Sequence, residues 1–194
     1  MADLSSILNI FVVEPSGEID MEIDNVRFEL SATKPIFTDG LSPEWGHPGF
    51  GVWQDGGQVI NIQVVNNDPV KGDAVEVTFL DAGMGTFFIQ GPAQDLSAFA
   101  GGNVVFDLKV VSNEGNTSGF LVKADCGYPC AGAEVPVALP SDNEWHTISV
   151  PVASIAAQSG FDITNVDTPF SLWPVFGQQG VAFRIANVRW ELPK

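Results

Sequence analysis

Two tryptophans lie in a short segment rich in glycine and proline, residues 45–53, and a third lies near the end of the chain. A flat indole ring can stack on the apolar face of a pyranose, while nearby polar groups bond the hydroxyls. Trp45 and Trp53 occupy a polar, turn-rich setting, and Trp173 precedes a proline in an apolar run. We take all three as candidate ligand contacts. Packing in the interior is the alternative for each.

Two pairs of charged residues occupy alternating positions of predicted strands. Asp107 and Lys109 share one face of a strand, and Lys123 and Asp125 share one face of another. If the two strands are neighbours, the four side chains form one charged, hydrogen-bonding patch that could bind a ligand. The alternative is a set of surface salt bridges, which add little to stability.

The chain has two cysteines, Cys126 and Cys130, separated by Gly-Tyr-Pro. Glycine and proline favour a tight turn, so we predict a disulfide that closes this loop. A disulfide implies an oxidising compartment, and we expect a secreted, extracellular or periplasmic protein. Zinc would need two further soft ligands, and His47 and His146 have no ligand-like spacing.

The charge of the chain restricts its partners. The 194 residues include 24 acidic and 8 basic ones, for a net charge of −16. Phosphate backbones and anionic lipids repel such a surface, which argues against nucleic acid and membranes as partners. The acidity is compatible with a salty, marine habitat. The first residues lack the basic start and apolar stretch of a signal peptide.

Alternation with a period of two residues dominates the sequence. Residues 75–79 and 104–110 alternate apolar and polar side chains and are rich in β-branched and aromatic types, which is typical of strands. In residues 148–152, Pro151 indicates an edge strand or a strand end. The 20 glycines and 13 prolines separate short runs. The pattern predicts an all-β fold, a two-sheet antiparallel β-sandwich or jelly roll.

An internal repeat links the two ends of the chain. The run Asn-Val-Arg-Phe-Glu-Leu at residues 25–30 recurs as Asn-Val-Arg-Trp-Glu-Leu at 187–192, and the alternating apolar positions before each run also align. Residues 1–31 are therefore interpreted as a strand pair that resembles the end of a preceding, similar module. Alternatively, they extend this module. The β-sandwich module itself is placed at residues 33–194.

The stretch from about residue 36 to residue 191 resembles the C-terminal galactose-binding-like module of family 3 exo-1,3/1,4-β-glucanases. The segments that carry the resemblance are Phe-Thr-Asp-Gly-Leu at 37–41 with Trp45, residues 95–109, the run Val-Lys-Ala-Asp-Cys-Gly-Tyr-Pro-Cys at 122–130, residues 145–151 and residues 187–191. The resemblance implies a β-sandwich appended to glycan-active enzymes. Such modules also serve as structural partners of catalytic domains.

Modules of this class often hold a structural calcium ion near the first and last strands. Calcium prefers oxygen ligands, and the natural candidates here are Asp39 and Glu191. The resemblance implies an acidic residue where this chain has Ala186, whereas the early copy of the repeat has Asp24. A rival oxygen-rich loop contains residues 66–68 and Asp73.

Catalysis finds little support in the sequence, which has no laminarinase-type Glu-x-Asp-x-x-Glu run and no nucleophile elbow. We therefore expect a non-catalytic carbohydrate-binding module of a secreted bacterial polysaccharide-degrading enzyme, with β-glucan as the first ligand class. Its partners would be a polysaccharide or oligosaccharide and a neighbouring catalytic domain or sister module. The alternatives are a structural module that docks on a catalytic domain and a small β-sandwich glycosidase.

Overall fold

The structure is a computed structural model, which describes residues 32–57, 59–138, 140 and 142–193. Within these residues the chain forms eleven strands, one short helix and three 3₁₀ turns. The strands are β1 (Thr33–Phe37), β2 (Gly49–Asp55), β3 (Ile60–Asp68), β4 (Gly72–Phe79), β5 (Met84–Gln90), β6 (Asn103–Ser112), β7 (Phe120–Asp125), β8 (Val135–Val137), β9 (His146–Pro151), β10 (Thr168–Pro174) and β11 (Ala182–Glu191). The helix is α1 (Val152–Ile155), and the turns are Pro43–Trp45, Ser97–Phe99 and Ile163–Asn165.

The strands form two sheets. The six-stranded sheet has the order β3-β4-β11-β6-β9, with β1 paired to the second half of β11. The five-stranded sheet has the order β2-β5-β10-β7-β8. All of these pairings are antiparallel. Consecutive strands such as β6 and β7 lie in different sheets, and this placement decides which side chains can meet.

Aromatic rings from the two sheets meet in the core. Phe106 of β6 packs edge-to-face on Phe170 of β10, with 4.9 Å between ring centroids. Phe120 of β7 packs on Phe183 of β11 in the same way at 5.1 Å. All four side chains are fully buried. Because side chains alternate along a strand, burial of one set turns the other set of each strand to the outer side of its sheet.

The predicted two-sheet β-sandwich is confirmed. Residues 75–79 and 104–110 lie within β4 and β6, and Pro151 ends the edge strand β9. The strand pair predicted in residues 1–31 lies outside the described residues, and the division of the chain into 1–31 and 33–194 stays a prediction. No helix in the described part of the chain is long and apolar enough to cross a membrane.

We expect Phe106→Ala to lower the free energy of unfolding by about 3–5 kcal/mol, because it leaves a cavity against Phe170. Val111→Ala is the matched control, since Val111 lies on the same strand but is 40% exposed. Its effect should stay within about 0.5 kcal/mol. Urea unfolding of both variants measures the difference. Equal losses would contradict the assignment of Phe106 to the core between the sheets.

Candidate functional site

Trp53 lies on β2, an edge strand of the five-stranded sheet, and 52% of its surface is exposed. It pairs with Thr86 of β5. Phe50 and Val52, its neighbours on β2, pack against the core, so the alternation of the strand turns Trp53 to the outer side. The ring is therefore available for stacking, and its contact with a ligand stays a prediction.

The outer side of the five-stranded sheet presents aromatic and polar side chains on adjacent strands. On β5, Phe87 and Ile89 are buried in the core, so the residues between and beside them face outward. On β7, Val122 and Ala124 are buried in the same way. We call this outer surface the platform, and its members are Trp53, Thr86, Phe88, Gln90, Lys123, Asp125, Ser171 and Trp173. Ser171 and Trp173 have outward positions on β10 but are buried, at 1% and 6% exposure.

Phe88 is a platform residue that sequence reasoning missed. It lies opposite Gly51 of β2, and a Cβ atom at Gly51 would overlap the Phe88 ring. Glycine at position 51 therefore makes room for the half-buried ring. Its outward orientation cannot be predicted from the local sequence, because Phe87, Phe88 and Ile89 form a continuous apolar run without alternation. On the partner strand β2, Gly51 and Trp53 alternate with the inward residues Phe50 and Val52. This alternation is the sequence signal for an outward face on which a large ring can lie over a glycine.

Trp173 has an outward position on β10 but is only 6% exposed. The Lys123 ammonium lies 5.9 Å from the centroid of its ring. This is a cation–π contact, and it occupies a face of the indole. The predicted ligand contact at Trp173 is therefore unavailable while Lys123 stays in this position.

Lys123, Asp125 and Asp167 form the charged part of the site. The Lys123 ammonium lies 3.1 Å from Asp125 Oδ2, and Asp125 Oδ1 is buried without a hydrogen-bond partner. Asp167 Oδ1 accepts a hydrogen bond from the Gly127 backbone at 3.0 Å, and its Oδ2 accepts one from Gln90 at 3.2 Å. Burial raises the pKa of Asp125, the charge of Lys123 opposes the rise, and the charge of Asp167 adds to it.

The patch predicted from four charged residues does not form. Asp107 and Lys109 lie on β6 of the six-stranded sheet, whereas Lys123 and Asp125 lie on β7 of the five-stranded sheet. Both pairs face outward, on opposite sides of the sandwich. The prediction was wrong because it assumed that strands close in sequence are neighbours in one sheet.

Asp107 has a structural environment. Its carboxylate accepts hydrogen bonds from Thr147 at 2.6 Å and Asn187 at 2.7 Å, and it pairs with Lys71 at 2.9 Å. Burial by itself would raise the pKa of Asp107, but these three partners outweigh burial and lower the pKa. The residue is 4% exposed, so it is not available to a ligand.

Trp45 was expected to contact a ligand, and the structure contradicts this expectation. The residue ends the 3₁₀ turn Pro43–Trp45 and is fully buried. Its ring lies against Gly91, where a side chain would collide with it, and Lys34 lies 5.6 Å from the ring centroid. A polar, glycine-rich sequence around a tryptophan therefore did not indicate exposure.

The predicted disulfide between Cys126 and Cys130 is present. Within the loop that it closes, the Cys126 backbone N–H donates to the Cys130 carbonyl at 3.1 Å. The Gly127 N–H donates to Asp167. The disulfide loop therefore contributes to the placement of a carboxylate beside the platform.

Asp39 and Glu191 do not converge on one metal ion. β1 pairs Thr33 with Glu191 and Phe37 with Val188, and Asp39 follows two residues after Phe37. The length of β1 alone separates the two ends by about 13 Å. Glu191 also pairs with Arg189 at 2.8 Å. These two residues therefore do not fit the predicted calcium ion.

The second predicted calcium site, residues 66–68 and Asp73, has carboxylates that already bond to other groups of the protein. Asp68 accepts hydrogen bonds from the backbone of Val70 and Lys71 and from the Trp145 indole, and it pairs with Arg184. Asp73 accepts one from the Asn67 backbone. Among the described residues, no group of three or more histidine, cysteine, aspartate or glutamate side chains is arranged to hold a metal ion. A calcium ion elsewhere on the protein stays a prediction.

Residues 52–190 match the model of the Exop_C family, which is galactose-binding domain-like. No match was found among curated proteins.

Solved structures show a similar fold. Exo-1,3/1,4-β-glucanase (ExoP) from a Pseudoalteromonas species has a TM-score of 0.62 at 13% identity over 92% of this chain and 23% of that one. The extra C-terminal domain (X) of ExoP gives 0.60 at 14%, over 82% and 92%. A family 11 carbohydrate-binding module from Clostridium thermocellum, in complex with a β-1,3-1,4-mixed-linked tetrasaccharide, gives 0.52 at 18%, over 74% and 89%. At these identities the similarity establishes the shared fold.

We expect Asp107→Asn to lower the free energy of unfolding at neutral pH by about 1–3 kcal/mol, because it removes a buried charged acceptor. A folded-state pKa below the ordinary value means that the carboxylate stabilises the fold above about pH 4. That stability is lost as the pH falls through the lowered pKa. The difference from wild type should therefore shrink in acid. Urea unfolding of wild type and Asp107→Asn, at neutral pH and in acid, measures this difference in the free energy of unfolding.

The exposed Glu144→Gln is the matched control and should change stability little at either pH. A loss for Asp107→Asn that is the same at neutral and acid pH would contradict the proposed role of its charge.

Proposed function

The chain belongs to the Exop_C family of galactose-binding domain-like modules, and from this membership we propose that it is a non-catalytic carbohydrate-binding module. The observation that supports the proposal most is the platform. An exposed indole ring at Trp53 lies on the same sheet face as Phe88, Gln90 and Lys123. Such a surface offers a stacking ring for the apolar face of a sugar and donors and acceptors for its hydroxyls.

We propose a neutral β-glucan as the ligand. ExoP is an exo-1,3/1,4-β-glucanase, and the family 11 module was solved with a β-1,3-1,4-mixed-linked tetrasaccharide. The net charge of −16 disfavours sulfated and uronate-rich polysaccharides, because like charges repel over the whole surface. The platform cation, Lys123, is already paired with Asp125.

The proposal places the chain in a longer, secreted polysaccharide-degrading protein. The disulfide supports an oxidising compartment. The similar fold covers only 23% of the ExoP chain, which is a glucanase, and this supports a position of the module beside a catalytic domain. The partners would then be the glycan and that neighbouring domain.

The environments of two carboxylates, Asp125 on the platform and Asp167 beside it, disfavour hydrolysis of a bound glycan. A glycosidase needs one carboxyl group that reaches the glycosidic oxygen and a second that attacks or activates water. Asp125 Oδ1 is buried, and Oδ2 is paired with Lys123. Asp167 already accepts hydrogen bonds from Gly127 and Gln90. The arrangement suits binding better than bond cleavage.

We expect Trp53→Ala to weaken binding of a mixed-linkage β-glucan by about tenfold, which corresponds to ~1.4 kcal/mol, because it removes the exposed stacking ring. Isothermal titration calorimetry with the polysaccharide and with its tetrasaccharide measures the change. Trp53→Phe should keep part of the affinity, since it retains an aromatic face.

Phe176→Ala is the matched control, because Phe176 is 70% exposed but lies outside the strands of the platform. It should leave the affinity unchanged. No heat from wild type with any neutral β-glucan at millimolar concentration would overturn the proposed function. An effect of Phe176→Ala equal to that of Trp53→Ala would overturn the location of the site.

A further inference from the structure

A depression of about 800 Å³ lies beside β7, between the disulfide loop and the segment that follows α1. Pro129, Cys130 and Glu134 contribute to one side, and Gln158 and Ser159 contribute to the other. The lining combines apolar atoms with a few polar side chains. The volume lies within the range of small-molecule sites.

The depression continues the platform, since Lys123 belongs to both. Phe88 lies opposite Gly51 of β2 on one side and opposite Ser171 of β10 on the other. Ser171 in turn lies opposite Lys123 of β7. This lateral row crosses three strand spacings, about 14 Å.

A sugar chain that lies along this row and passes Lys123 leaves the platform at β7. Residues 131–135 run along the other side of that strand, where Ala131 pairs with Asp125 and Val135 pairs with Val122. The depression lies over this segment. The next sugar units of the chain would therefore enter it.

An exposed aromatic residue directly precedes one of the lining residues in the chain. Tyr128 is fully exposed, and Pro129, which follows it in the chain, belongs to the lining. The disulfide and the hydrogen bonds of Cys126 to Cys130 and of Gly127 to Asp167 hold the loop in place. A loop that is already ordered loses little entropy on binding, so Tyr128 is suited to contact a ligand.

We propose that this depression is an extension subsite, which binds the sugar units of a β-glucan chain that pass beyond Lys123. Tyr128 supplies an aromatic surface, and Gln158 and Glu134 bond hydroxyl groups. The inference rests on the proposed function, because it assumes that a glucan lies across the platform. Its consequence is specific: long oligosaccharides bind more tightly than short ones, and the gain depends on residues outside the platform.

The test is calorimetry on wild type, Tyr128→Ala and Gln158→Ala with the tetrasaccharide and the hexasaccharide of mixed-linkage β-glucan. Both side chains are exposed, so the variants should fold as wild type does. We expect wild type to bind the hexasaccharide more tightly. Each variant should lose about three- to tenfold in hexasaccharide affinity, the effect of one lost contact, and keep its tetrasaccharide affinity. Gln63→Ala, an exposed glutamine on β3 of the other sheet, is the control.

The outcomes separate the two proposals. Tetrasaccharide binding that Trp53→Ala weakens, with hexasaccharide affinity unchanged in both depression variants, overturns the extension subsite and leaves the platform in place. Equal losses for both oligosaccharides place the depression within the primary site and also overturn the extension. Absence of binding by wild type overturns the proposed function, and the extension with it.

Discussion

The contact between Phe106 and Phe170 holds the two sheets together at the point on which the platform depends. Phe170 and its neighbour Leu172 are turned inward by this packing, and so are Phe87 and Ile89 on the adjacent strand. When every second residue of a strand packs inward, the residues between them are turned to the outer side of the sheet. The outward row of the five-stranded sheet is therefore a consequence of the core. A shift of one residue in register would exchange the two sets of side chains.

The two outer surfaces of the sandwich differ in how their charges are paired. On the six-stranded sheet, Lys71 pairs with Asp107, and Arg184 pairs with both Asp68 and Glu76. On the five-stranded sheet, Asp125 has one oxygen paired and the other buried without a partner. On the first surface, these carboxylates are paired with cations of the protein itself, and the pairs stabilise the fold. The second carries the exposed Trp53 ring and, on the same sheet face, exposed polar side chains such as Gln90, which is the combination that a glycan site needs.

Much of the fold could be predicted from alternation, glycine and proline positions and the spacing of the cysteines, because these features act locally. The pairing of strands could not, because β6 and β7 are consecutive in the chain but belong to different sheets. This is why Asp107 and Lys109 were grouped with Lys123 and Asp125. Trp45 was taken as a candidate ligand contact, with interior packing as the alternative, because nothing in the sequence shows that Gly91 leaves room for its ring.

The most direct test of the central claim, that a β-glucan binds on the platform, is an NMR titration of the isotope-labelled chain with the mixed-linkage tetrasaccharide. The largest amide shift changes are expected on β2, β5, β10 and β7, with small changes on β4, β11 and β6. The Trp53 indole N–H signal should move with the same saturation curve. Largest changes on the six-stranded sheet, or an unmoved Trp53 signal at saturating ligand, would contradict the account.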